Sequence, residues 1–384
     1  MTRIGIGLLA LTLAGLASAA NRVADERPVV VAGCEGLYYE PPGRPQMIVV
    51  SDLPLEASAH TAMLQMTQAI KLTLKDDGFR AGRFSVGYVV CDDSGAAGTW
   101  SAKRCVANAR AAARNGKVVG VIGTLDSGCA RNELPILGAA NIVLVSPLNT
   151  ATDLTRFHRG GVARLSAPDD AQAATAARFL RNRGVETVAA VSDGTRRGNA
   201  YRVEFVLVAR RIGLRIVARG RADAAYAGGV LSNRTRADLL AARRRAPDGP
   251  LVLTAGYGPA AQLADVAGSS AEGVYLFVSG IPVERLGAEG RDFVTHFESA
   301  IGRSPHPYAV YAAQAARLLL DSIAGSNETR VSVGRAVLAA KVRHGLIGSF
   351  SFDANGDPRS APVTIFRVHD RAAHLVRVVG SGLP

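Results

Sequence analysis

Two hydroxyl-bearing residues, Ser127 and Thr150, each stand in a small polar turn directly after an apolar run. The first run, Val118 to Ile122, breaks at Gly123 into Thr124-Leu125-Asp126-Ser127-Gly128. The second, Ile142 to Val145, breaks into Ser146-Pro147-Leu148-Asn149-Thr150. A short helical pattern joins them, and continuous apolar runs joined by a helix read as buried parallel strands of a βαβ unit. Such strands end on one edge of the sheet, where open α/β sheets take their ligands. Ser127 and Thr150 are thereby expected side by side, among free backbone N–H groups. That chemistry suits holding a small polar or anionic solute, and no catalytic base stands nearby.

The elements that would position these turns read as two successive α/β halves. Strand Met47 to Val50, helix Thr61 to Asp76, strand Phe84 to Cys91 and helix Ala102 to Arg114 precede the two strands above, a doubly wound layout. A second half begins near Arg164. Its helices are expected over 170–183, 200–212 and 235–246, with strands at 187–192, 215–218, 250–254 and 274–279. Helices over 291–301, 309–323 and 333–341 follow. The tail from Gly345 alternates like β-structure around the turn Asp353 to Asp357.

With 384 residues, 48% of them hydrophobic and 20% charged, the chain can bury two cores and is not disordered. The net charge of +13 comes mostly from arginines scattered along helix faces. They lack aromatic interleaving, so a solvated surface is expected and no nucleic-acid partner. Residues 1–20 read as an export signal: Arg3, an apolar stretch to Leu16, and the small-residue site Ala17-Ser18-Ala19. Residues 21–46 form a Pro- and Tyr-rich lead-in. A periplasmic or secreted location is expected.

Four cysteines suit an oxidising compartment and two disulfides. Cys91–Cys105 would link a strand to the following helix, leaving Cys34–Cys129, and the other two connectivities stay open. Val31-Ala32-Gly33-Cys34 also looks like a lipidation site, though Asp25, Glu26 and Arg27 interrupt the apolar run it needs. The spacings match no zinc motif, and no metal or cofactor is expected. Neither a nucleophile elbow, a Walker lysine nor a His-Glu-x-x-His motif occurs, and only His60 of the seven histidines falls near the proposed site. The chain is not expected to be an enzyme, a hydrolase being the least remote alternative.

The segments VIGTLDSGCA, NIVLVSPLNTATDLT, AGSSAEGVYLF and GLIGSFSFDANGDP follow one another in an order that resembles type I periplasmic solute-binding proteins, in the Leu/Ile/Val-binding branch of ABC importers. CDDSGAAGTWSAKRCVANARA resembles an exported sub-branch. The resemblance implies two Rossmann-like lobes joined by three hinge crossovers. The N-terminal lobe would comprise 47–164 plus 281–345, and the C-terminal lobe 165–280 plus 346–384. It implies capture of an amino acid, amide or organic acid for a membrane permease, or, alternatively, for a sensory receptor. Ser127 and Thr150 match the family residues that hold a ligand carboxylate, with Gly128 and Asn149 beside them and the Leu148 carbonyl facing an ammonium group. Ser58, Arg197 and Tyr257 would complete the cleft. Two departures stand out: Arg197 replaces an aromatic residue, and Ala255 replaces an acid. Both favour a ligand richer in negative charge than a zwitterion. The second lobe also reads as shorter by about one strand–helix unit.

Overall fold

Alternating apolar strands and amphipathic helices build two large sheets in the computed structural model, which describes residues 33–380 apart from 58, 97, 159 and 259. The expected export signal over 1–20, the first part of the lead-in, and Ser58 therefore lie outside the described residues.

The first sheet holds β1 (Met47–Leu53), β2 (Arg80–Ala81), β3 (Phe84–Asp92), β4 (Val118–Gly123), β5 (Val143–Ser146) and β6 (Val162–Arg164). Its order is β2-β3-β1-β4-β5-β6, with only the short β2 antiparallel. All seven residues of β1 are buried, because helices cover both faces. Met47, Val49 and Leu53 point into one core, against α1 (His60–Asp76). Ile48 and Val50 point into the other, against α2 (Ala102–Arg114) and α3 (Ser127–Ala139). The period of two along β1 thus loads both cores, each buried side chain adding about 1.5–3 kcal/mol. The short α4 (Asp153–Phe157) follows β5.

The chain then leaves for a second sheet through α5 (Asp169–Arg181), β7 (Thr187–Ser192), α6 (Arg196–Arg211), β8 (Arg215–Ile216), β9 (Ala224–Gly228), α7 (Thr235–Arg245), β10 (Leu251–Leu253), α8 (Ala260–Ala267) and β11 (Tyr275–Ser279). It returns for α9 (Ala288–Ile301), α10 (Pro307–Ala324), α11 (Arg330–Ala339) and a separate ribbon, β12 (Lys341–Gly345) with β13 (Gly348–Ser351). It crosses once more to β14 (Val363–His369) and β15 (Ala372–Val379). The second sheet runs β15-β14-β11-β10-β9-β7-β8, its last five strands parallel.

Both sheets therefore carry five parallel strands in the same relative order, and the expected shortening of the second half is overturned. The missing unit is β9, whose sequence AAYAG has too little bulk to read as a strand, yet is buried throughout. The third passage also lies later than the expected boundary at residue 346: Leu346, Ile347, Phe350 and Phe352 all pack in the first core with α9 and α10.

The disulfides are Cys34–Cys91 and Cys105–Cys129, correcting the expected pairing. Cys34 bridges to β3 directly beside Cys91. Cys105 and Cys129 are on α2 and α3, neighbouring helices on one sheet face, and both are fully buried. Because the Cys34 sulfur is engaged in a disulfide, lipid attachment at Cys34 is excluded in this form.

The three passages bond to one another. The Ala167 N–H donates to Ser279 Oγ (2.6 Å), the Gly280 N–H to the Pro362 carbonyl (2.8 Å), and Thr364 Oγ1 to the Gly280 carbonyl (2.5 Å). Tyr311 of α10 accepts from the Ile281 N–H through its hydroxyl (3.1 Å).

Candidate functional site

Each sheet has a point where the chain winds first to one side and then to the other: between β1 and β4, and between β7 and β9. The loops after these strands face each other and enclose a cavity of about 660 Å³. Its first wall carries Ser127, Gly128, Leu148 and Thr150; its second carries Arg197, Tyr201, Ala255 and Gly256.

Ser127 is the first residue of α3, whose N-terminus is capped by Asp126 through its Oδ1 and the Gly128 N–H (2.5 Å). The Ser127 Oγ accepts from the Ala151 N–H (3.2 Å), which draws the two strand-end turns together and leaves its own proton free to donate. Gly128 is where the Trp100 ring rests; any side chain there would collide with it. Leu148 lines the cavity, half-buried.

Thr150 meets Arg197 directly, Nη2 donating to its Oγ1 at 2.6 Å. Arg197 is also paired with buried Asp169 (2.8 Å) and lies 4.3 Å over the Tyr201 ring. Burial pushes the Asp169 carboxyl up, although the Arg197 charge and a Thr150 bond pull the other way. Tyr201 is pushed up to about 12, first by burial and then by Asp169, so it stays a neutral hydroxyl.

Two expected residues are elsewhere. Asn149 is buried behind the cavity, its amide donating to the Thr124 carbonyl (3.0 Å) and holding the two turns in register. Tyr257 is fully buried among Leu253, Leu263 and Leu276, because the 3-10 turn Ala255–Tyr257 rotates its ring inward. Only Ala255 and Gly256 of that turn reach the cavity. Asp193 does not reach across the cleft either: it holds the Thr195 and Val230 N–H groups (both 2.9 Å) and so ties the turns after β7 and β9. His60 is exposed and contacts the Leu55 carbonyl.

Residues the sequence reading missed complete the walls: Trp100, Tyr201, His306, Tyr308, Tyr311 and Phe366. Trp100 had a signal, being the sole tryptophan, in a Gly-rich turn between β3 and α2. The aromatic residues of α10 are over 150 positions away from Ser127 and gave none.

Behind the Ser127 turn lies a buried acidic cluster. Asp52 ends in a bond from Asn108 Nδ2 (2.8 Å) and faces Glu133 of α3. Burial raises both carboxyls, and Glu133 keeps the proton it shares with Asp52. Asp93 is raised to about 9 by burial and by its acidic neighbours Asp52, Asp92 and Asp126, with Arg104 opposing. Its Oδ2 lies 3.2 Å from the sulfur of Cys129.

With this geometry in place, residues 53–228 match the family model for periplasmic binding proteins. A leucine-binding protein from Thermotoga maritima shares 18% identity over 87% of this chain and 99% of that chain, with a TM-score of 0.72. A leucine complex of an ABC transporter substrate-binding protein from Desulfitobacterium hafniense gives 21%, 86%, 99% and 0.69. A benzoate complex of a solute-binding protein from R. palustris gives 18%, 87%, 96% and 0.67. No curated protein matches. The chain has the type I periplasmic binding protein fold.

Proposed function

We propose that this chain, which has the type I periplasmic binding protein fold, captures a small organic solute between its lobes outside the cytoplasm and delivers it to the permease of an ABC importer. The lobes divide near residues 166, 280 and 353–362, where the passages bond together. The observation that carries the reading is the cavity itself: both walls are strand-end turns at winding points, one from each lobe, and Arg197 reaches from one wall to Thr150 on the other. A solute touching both walls favours the closed arrangement, which a membrane partner can recognise. The relatives with known complexes hold leucine and benzoate, which puts aliphatic amino acids and aromatic acids within reach of this fold. Export agrees with two disulfides in the described chain. No helix among the described residues is long and apolar enough to cross a membrane.

The test is a thermal-shift screen against amino acids, organic acids and amides, followed by X-ray scattering with and without the solute found. Ligand-dependent compaction is expected. A solute that binds while leaving the radius of gyration unchanged rejects capture by closure.

A further inference from the structure

The chemistry of the walls narrows the solute class. Three arginines, Arg131, Arg196 and Arg197, line the cavity against one aspartate, Asp126. Arg131 is paired with Asp153 through two bonds of 2.7 Å, and Arg197 with Asp169. Arg196 has no side-chain hydrogen bond or ion pair among the described residues and is exposed to the cleft. Asp126 has one oxygen engaged in capping α3. The turn that could supply a second acid, opposite Ser127, offers Ala255 and Gly256 instead. An ammonium group would thus find only the second oxygen of Asp126, whereas a carboxylate would meet the Ser127 hydroxyl, the α3 N-terminus and Arg196.

The remaining wall is apolar and aromatic: Trp100, Leu125, Ile281, Tyr308 and Phe366. An apolar cavity of about 150 Å³ accommodates benzene. The space here is about four times larger, enough for a ring, a short chain and its head group together. His306 adds no charge: burial lowers its pKa, and its Nδ1 accepts from the Tyr308 N–H (3.2 Å).

We propose that the solute is an aromatic carboxylate without an α-ammonium group, its carboxylate at Ser127 and the arginines and its ring against the Trp100–Tyr308–Phe366 wall. This deepens the capture reading and rests on it.

The protein supplies its own reporter, since its single tryptophan, Trp100, lines the cavity. Fluorescence titration of the full chain should compare 3-phenylpropanoate with L-phenylalanine, 3-phenylpropanamide and L-leucine. The first is expected to bind about ten-fold or more tightly than each of the others, as one charge-assisted contact implies. Arg196→Gln, at an exposed and unpaired position, should weaken 3-phenylpropanoate about three-fold or more while leaving the amide unaffected. Equal or tighter binding of leucine or phenylalanine overturns the class, as does parity of the amide, and as does silence of Trp100 toward all four. None of these outcomes touches the capture reading, which the scattering measurement decides separately.

Discussion

Arg197 Nη2 donates to Thr150 Oγ1 at 2.6 Å, and the two residues come from opposite sides of the cleft. Thr150 lies in the turn after β5 in the first lobe, while Arg197 is in the first turn of α6 in the second. This bond joins the two walls, and a carboxylate seated at Thr150 must share or displace it. Thr150→Val keeps the shape and removes the acceptor. The expected result is a larger radius of gyration for the solute-saturated protein, by X-ray scattering, with solute affinity reduced about ten-fold. An unchanged radius would show that the bond does not hold the lobes.

Ser127→Ala removes a hydroxyl that accepts from the Ala151 N–H and faces the cavity. Affinity should fall about ten- to hundred-fold, since a hydrogen bond to a charged group contributes about 1.5–3 kcal/mol. The melting temperature should drop only slightly, because helix capping stays with Asp126. Isothermal titration and calorimetry separate the two effects. A large melting shift with intact affinity would assign Ser127 to structure alone.

Arg164 is 1% exposed and pairs with Asp357 at 2.5 Å, while also donating to the Ala151 carbonyl and to Thr155. It fastens the end of β6 to the turn that leads to the third passage. Arg164→Met leaves Asp357 without its buried partner and should cost about 3–5 kcal/mol in chemical denaturation. A loss below about 1 kcal/mol would show that solvent, not Arg164, satisfies that turn.

The acidic cluster predicts how stability follows pH. Asp93 titrates at about 9 when folded, above the usual carboxylate range, because burial and neighbouring acids disfavour its charged form. A raised carboxyl binds its proton more tightly in the folded state, so folding is favoured least where the unfolded chain has already lost that proton. Stability should therefore decline as pH rises from about 4 towards 9. Asp93→Asn should flatten that decline in a series of thermal melts. An identical slope in the variant would remove Asp93 from the account.

Cys105–Cys129 ties α2 to α3, the helix that begins with Ser127. Replacing both by serine opens a loop of 24 residues and should lower stability by about 3 kcal/mol in the chain-entropy model. Removing Cys34–Cys91 should leave solute affinity less affected, since it anchors the lead-in to β3. Comparing the two double variants by denaturation and titration checks the division.

The strand-end positions of Ser127 and Thr150 were legible because long apolar runs broken by small polar turns have few other readings. Gly128, Leu148 and Arg197 were reached through the resemblance and do line the cavity. Tyr257 misled because the turn that carries it is a 3-10 turn that places its ring in the core, which a Gly-rich sequence does not announce. Asn149 misled in another way: its amide serves two backbone turns from behind, and a turn residue's facing is not written in its neighbours. The cysteine pairing depended on which helices lie side by side, a property of the sheet order and not of spacing along the chain. The burial of Arg164 was not legible, because the partners that make it tolerable include the distant Asp357. In the aromatic wall, Tyr308 comes from α10 and Phe366 from β14, placed by the second and third passages, so no local pattern could announce them.

The bonds among the three passages converge on Ser279 and Gly280, so no single connection can flex by itself. Any change of angle at one strand must be matched at the other two, which leaves the halves one shared axis to swing about and suppresses sliding or twisting. A receptor built this way would register its cargo as one of two poses, giving a docking partner a yes-or-no signal instead of a graded one.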